Sequence, residues 1–130
     1  MVRRYHFPVE PIIRANGNCP SQEFYDNLDR PVKAKFIAIF RRIEKSTDGT
    51  LRDTDKLEKL KGGHTCDLWE MKVRHKGVWY RMLCFRDGPA WMLTHGFKKN
   101  RNNTPISEIQ KGCDIKQEYN EIKRQNMYRR

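Results

Sequence analysis

LWEMKVRHKGVWYRMLCFRDGPAWMLTHGFKKNRNNTPISEI, from Leu68 to Ile109, is the stretch whose reading decides the fold. Trp69, Met71 and Val73 alternate with Glu70, Lys72 and Arg74, the two-residue period of a half-buried strand. Lys76-Gly77 turns the chain, and Val78 to Phe85 follows as an apolar run in which Arg81 is the single charge. Such a run suits a central strand covered on both faces. Asp87-Gly88-Pro89 makes the next turn, and Trp91 to Phe97 reads as a third strand. A basic loop, Lys98 to Asn103, then leads into a helix that Thr104-Pro105 is expected to cap.

Upstream, Val32, Phe36, Ile39, Phe40 and Ile43 recur at three and four, while Lys33, Lys35, Arg41 and Arg42 take other faces, which predicts an amphipathic helix. Pro20-Ser21 opens a shorter helix before it, with Ser21 as the expected N-cap and Phe24 and Leu28 on its buried side. Pro8 and Pro11 cannot donate to a ladder and suit an edge strand or an extended lead-in. Residues 50 to 63 are polar with little periodicity and read as a loop. In the last helix Ile106, Ile109, Cys113 and Tyr119 are expected inside, and Gly112 weakens it by roughly 1 kcal/mol relative to alanine. The element order predicts one α+β domain over residues 1–130: a lead-in strand and turn (1–18), two N-terminal helices packed on an antiparallel sheet of three consecutive strands, a C-terminal helix, and a basic tail (120–130).

A chain of 130 residues can bury a core without metal or disulfide support. Its formal net charge of +11 favours a polyanionic partner, either nucleic acid or an acidic protein. The four cysteines, Cys19, Cys66, Cys84 and Cys113, contain no C-x-x-C pair, and reduced thiols in a cytoplasmic protein are expected. His64 and Cys66 lack a second ligand pair, so neither a metal nor a cofactor is expected. MVRRYHFPVEPII has no apolar core of signal-peptide length, and no run approaches the roughly 18 apolar residues of a membrane helix.

Cations recur on and just after the strands. Arg81 weighs most, because a charge in an apolar central strand is costly unless it is paired or opens on a ligand groove. A structural ion pair with Glu70 is the competing reading. Lys72 and Arg74 project from one face and can span neighbouring phosphates. His95 is the one obvious general acid or base, placed two residues after Leu93 on that strand's face. Lys98, Lys99 and Arg101 belong to a basic loop entering a helix N-terminus, a setting that favours anions. Trp69, Trp79, Tyr80 and Trp91 are candidates for stacking bases. RNA cleavage without metal needs a base for the 2′-hydroxyl, cations for the phosphorane charge and an acid for the leaving oxygen.

CPSQEFYDNL (Cys19 to Leu28), LWEMKVR (Leu68 to Arg74), YRMLCF (Tyr80 to Phe85) and HGFKK (His95 to Lys99), followed by TPISEI, together resemble the phage-derived, HigB-like branch of the RelE/ParE toxin superfamily. The resemblance runs from about Cys19 to Ile109. It implies a RelE-like fold and the toxin of a type II toxin–antitoxin pair, a metal-independent endoribonuclease (mRNA interferase) acting on mRNA at the ribosome and neutralised by a cognate antitoxin. By the same resemblance, Lys72 matches a sheet lysine near the scissile phosphate, Arg74 a further phosphate contact, and Arg81 the arginine that stabilises the transition state. Lys98 stands where RelE-type members carry another catalytic arginine, and His95 belongs to the H-G-F signature of this branch. Glu70 replaces a lysine of the RelE type, and Ile109 lies near the place of its closing-helix tyrosine. A ParE-like non-hydrolytic inhibitor of DNA gyrase and a catalytically inactive RNA-binding relic are the alternatives.

Overall fold

Two hairpins in succession build the centre of the sheet. The computed structural model describes residues 6–99 and 103–128. In chain order its elements are β1 (Val9–Pro11), α1 (Pro20–Asp26), α2 (Arg30–Lys45), β2 (Leu57–Lys59), a 3-10 turn (Gly63–Thr65), β3 (Trp69–His75), β4 (Val78–Asp87), β5 (Ala90–Lys99) and α3 (Ile106–Tyr128). The strands run in the order β1-β5-β4-β3-β2. Lys76 and Gly77 both have positive φ, 50° and 78°, the pair of left-handed residues that a two-residue β3–β4 turn favours.

The sheet is mixed rather than antiparallel, because β1 pairs parallel with β5, Val9 opposite Trp91. Pro8 takes part there as an acceptor only, its carbonyl receiving the Trp91 N–H at 2.8 Å. The expected loop at 50 to 63 also contains a strand. Leu57–Lys59 pairs antiparallel with β3, placing Glu58 opposite Glu70. Three residues are too few to display a two-residue period, so pairing with β3 decides their conformation.

The two faces carry separate cores. Val32, Phe36, Ile39 and Ile43 of α2 bury against Met71, Val73, Met82, Cys84, Trp91 and Leu93, with Phe24 and Phe40 packed alongside. On the other face Ile109 and Ile115 of α3 close over Leu68, Leu83, Phe85, Met92 and Phe97. Central β4 is therefore covered on both sides, as its apolar run requires. Gly112 has a packing reason: a Cβ there would lie 2.8 Å from Leu68 Cδ1 and 3.2 Å from Leu83 Cδ1, so its absence lets α3 sit close to the sheet. Ile106, expected inside, is exposed, and Ile115, one turn beyond the strand-facing glycine, is fully buried. Ser21 is not the cap of α1: Cys19 holds that position, and Ser21 is buried inside the first turn. The expected basic tail is helical as far as Tyr128, with Tyr119 and Lys123 both bonded to Asp87 of β4.

A bulge corrects the reading of β5. Leu83 faces His95 but Cys84 faces Leu93, so Thr94 is an extra residue in the ladder. Leu93 belongs to the α2-side core, whereas His95 shares the α3 side with Leu83. The one-residue insertion reverses the alternation that placed the two side chains on one face.

Cys66 and Cys113 form a disulfide, against the expectation of four reduced thiols; Cys19 and Cys84 are free. Their Cα atoms are 6.0 Å apart although 47 residues separate them in sequence. α3 brings the pair together, a proximity no cysteine spacing discloses. The bond joins the segment after the 3-10 turn to α3, next to the Lys116 Nζ donation to the Cys66 carbonyl at 2.6 Å. Reduction should lower unfolding stability by roughly 2–4 kcal/mol. Urea unfolding with and without a thiol reductant checks this, and a Cys113→Ser variant should show no dependence on reductant.

Candidate functional site

The β3–β4–β5 register lays out three cross-strand rows on the α3 side of the sheet: Glu70–Leu83–His95, Lys72–Arg81–Phe97 and Arg74–Trp79–Lys99. Directly paired residues share a face, so six of these nine side chains put ionisable groups on one surface. The sequence-predicted cations Lys72, Arg74, Arg81 and Lys99 are thus brought onto one side. Arg101 lies outside the described residues.

Lys72 and Arg81 line a cavity of about 430 Å³ together with Asp55, Glu58, Glu70 and Thr104. Arg81 is 1% exposed and Glu70 3%, and they form the ion pair weighed at the outset, with Arg81 Nη1 donating to Glu70 Oε1 at 2.6 Å. Thr104 completes it: its hydroxyl donates to Glu70 Oε2 at 2.5 Å and accepts from Arg81 Nη1 at 3.4 Å. The hydroxyl expected to cap α3 is therefore given to this pair. Lys72, 5% exposed, donates from Nζ to Glu58 Oε1 at 3.1 Å.

Glu58 is the site residue that sequence reasoning missed. It reaches the cavity because β2 joins the sheet edge, and its side chain keeps substantial solvent access while that of Lys72 does not. No strand period marks it: Leu57 and Leu60 stand three apart in an otherwise polar segment.

His95 and Lys98 line a different cavity, of about 450 Å³, with Glu23, Phe24, Tyr80 and Lys111. The Thr94 hydroxyl donates its single proton to the Leu83 carbonyl at 3.1 Å. The same hydroxyl lies 3.0 Å from His95 Nδ1. Nε2 lies 3.4 Å from Glu108 Oε1 and makes no hydrogen bond among the described residues. Burial, with Lys111 nearby, pushes the imidazole pKa down to about 4, so the ring is neutral at pH 7. Among the described residues no cluster of three or more His, Cys, Asp or Glu is placed to hold a metal ion, and no helix is long and apolar enough to cross a membrane.

Residues 23–117 match the family model described as phage derived protein Gp49-like (DUF891). The chain belongs to this Gp49-like family. The match spans most of the chain and contains Glu58, Lys72, Arg81, His95 and Thr104. The Gp49-like family is RelE-toxin-like and compatible with a toxin of toxin–antitoxin systems. No curated protein matches the chain.

The His95 environment has a consequence for acid stability. An unfolded histidine takes up a proton near pH 6.5, but the folded one resists until about pH 4. Stability should therefore be unaffected by this group above pH 6.5 and fall as pH drops through that window, by about 3 kcal/mol in all. Urea unfolding at pH 7 and pH 4.5 measures the loss, and His95→Gln should flatten it.

Proposed function

We propose that this Gp49-like protein is the toxin of a type II toxin–antitoxin pair, with a RelE-like fold of the HigB-like branch, acting in the cytoplasm as a ribosome-dependent mRNA endoribonuclease. The observation that carries the reading is the Glu58–Lys72–Arg81 cavity, where a carboxylate with solvent access faces two buried cations. In this reading the Glu58 carboxylate takes the proton of the RNA 2′-hydroxyl. The freed oxygen attacks the adjacent phosphorus, and the Lys72 and Arg81 charges stabilise the phosphorane. The 5′-oxygen leaves with a proton from water, giving a 2′,3′-cyclic phosphate and a 5′-hydroxyl, while Glu58 returns its proton to solvent. The net charge of +11 supports both binding of RNA and neutralisation by an acidic antitoxin covering the basic surface. His95 and Lys98 open on the second cavity, so they are assigned to flanking contacts and cutting is assigned to Glu58, Lys72 and Arg81.

One observation favours a second reading, a non-hydrolytic binder. The Arg81 guanidinium is buried against Glu70, an arrangement that serves the fold without any substrate. Arg81→Ala is a poor discriminator, since it leaves the Glu70 carboxylate buried without its partner and should cost roughly 3–5 kcal/mol.

Glu58→Gln and Lys72→Met separate the readings better. Induced expression in a bacterial host, with transcript 5′ ends mapped within minutes, should show new ends inside translated frames for the native chain. Each variant should reduce them by about 100-fold or more. Glu58→Gln keeps an acceptor for the buried Lys72 ammonium, and thermal unfolding checks that both variants remain folded. Growth arrest with intact messages, or full cleavage by both variants, would sink the nuclease assignment.

A further inference from the structure

The fold sorts the aromatic residues that a base might stack on. Trp69 and Trp91 meet edge to face, 5.2 Å between centroids, in the α2-side core, and Tyr80 packs against that core as well. Trp79 is different. It lies on the opposite side of β4, directly across from Arg74 of β3 and Lys99 of β5. Its ring is half-buried, while Arg74 and Lys99 are exposed. The Arg74 guanidinium lies 5.6 Å from the ring centroid and that of Arg81 5.4 Å.

We propose that Trp79 is a stacking platform for one base of single-stranded RNA, with Arg74 and Lys99 holding the phosphates on either side. The proposal rests on the RNA reading above and extends it from the cavity to the strand that leads into it. The Lys72–Arg81 row and the Arg74–Trp79–Lys99 row are two residues apart along the strands, a step of roughly 7 Å. An extended strand of RNA can therefore place a phosphate at the first row and its neighbouring base on the second.

The occupant follows from the chemistry of the row. An aromatic face flanked by two cations fits a polymer that alternates flat bases with negative charges. An acidic peptide would satisfy the cations but offer nothing to the ring. The exposed Arg74 guanidinium now occupies the vicinity of the ring, and a stacked base displaces it toward a phosphate, because base–ring stacking is worth more than an exposed cation–ring contact. A ring face reads no hydrogen-bond pattern, so the platform tolerates any base and holds purines more tightly than pyrimidines.

The test uses the full chain and a short 2′-O-methyl oligonucleotide, whose blocked nucleophile keeps binding separate from cleavage. Trp79→Ala should weaken binding roughly 5- to 100-fold, and Trp79→Phe should restore most of it. An abasic strand of equal length should bind the native chain weakly and be indifferent to Trp79→Ala. Lys99→Gln should reduce the log–log salt slope by about 0.7, the share of one phosphate on a single strand. Unchanged affinity in Trp79→Ala, equal affinity for the abasic strand, or no binding at all would overturn the proposal. Trp79-dependent binding by a native chain that cuts no message would uphold the platform and remove the nuclease assignment.

Discussion

Glu70 and Arg81 are buried together, and neither could be buried without the other. A lone carboxylate or guanidinium at that depth would cost several kcal/mol, so β3 and β4 must present the two side chains to each other. The pair is diagonal in the register, Lys72 standing opposite Arg81 and Leu83 opposite Glu70. Thr104 adds the third member from the approach to α3. One polar cluster thus sets the β3–β4 relation and the point at which the chain enters its last helix. The cavity holding Lys72 and Glu58 is shaped around it. Glu70 compensates Arg81 and Glu58 compensates Lys72, so an anion entering this cavity competes with both carboxylates for the cations.

The bulge at Thr94 imposes a second constraint. It moves His95 from the α2 side to the α3 side, where the imidazole is closed in and turned toward Thr94. In that setting the ring is a weak base, since burial disfavours its charged form. Proximity in sequence to the basic loop made His95 a natural partner for Arg81. The strand geometry instead gives the two residues different cavities, and Glu58 becomes the carboxylate beside the cations.

What was legible in the sequence follows the length of each signal. Val32, Phe36, Ile39 and Ile43 repeat over three turns of α2, and all four are buried as that period demands. Strands β3, β4 and β5 each run seven to ten residues, long enough for alternation or an unbroken apolar run to identify them. Strands β1 and β2 have three residues each and take their conformation from partners remote in sequence. The Cys66–Cys113 bond is similarly non-local. Arg81 was singled out correctly as the costly charge, and Glu70 was named as its possible partner. Lys72 and Arg74 were read as sharing one face of β3, and they do, but Lys72 is buried while Arg74 is exposed, a difference that the invisible edge strand β2 kept out of reach.

The same architecture explains where a polyanion has room to bind. Helix α2 and the α1–α2 region occupy one face of the sheet, and Lys35 of α2 reaches across to the Arg74 carbonyl. On the other face, α3 packs over Leu83, Phe85 and Met92, toward the β4–β5 hairpin. The β3–β4 hairpin end of that face keeps Arg74 and Lys99 exposed with Trp79 between them. Among the described residues α3 leans to one end of the sheet, and the exposed cations sit at the other. Surface charge on a chain of this composition need not mean recognition. Charge placed in register with an accessible aromatic, one row from a cavity holding two further cations, defines a direction along which an alternating polymer of bases and phosphates can lie.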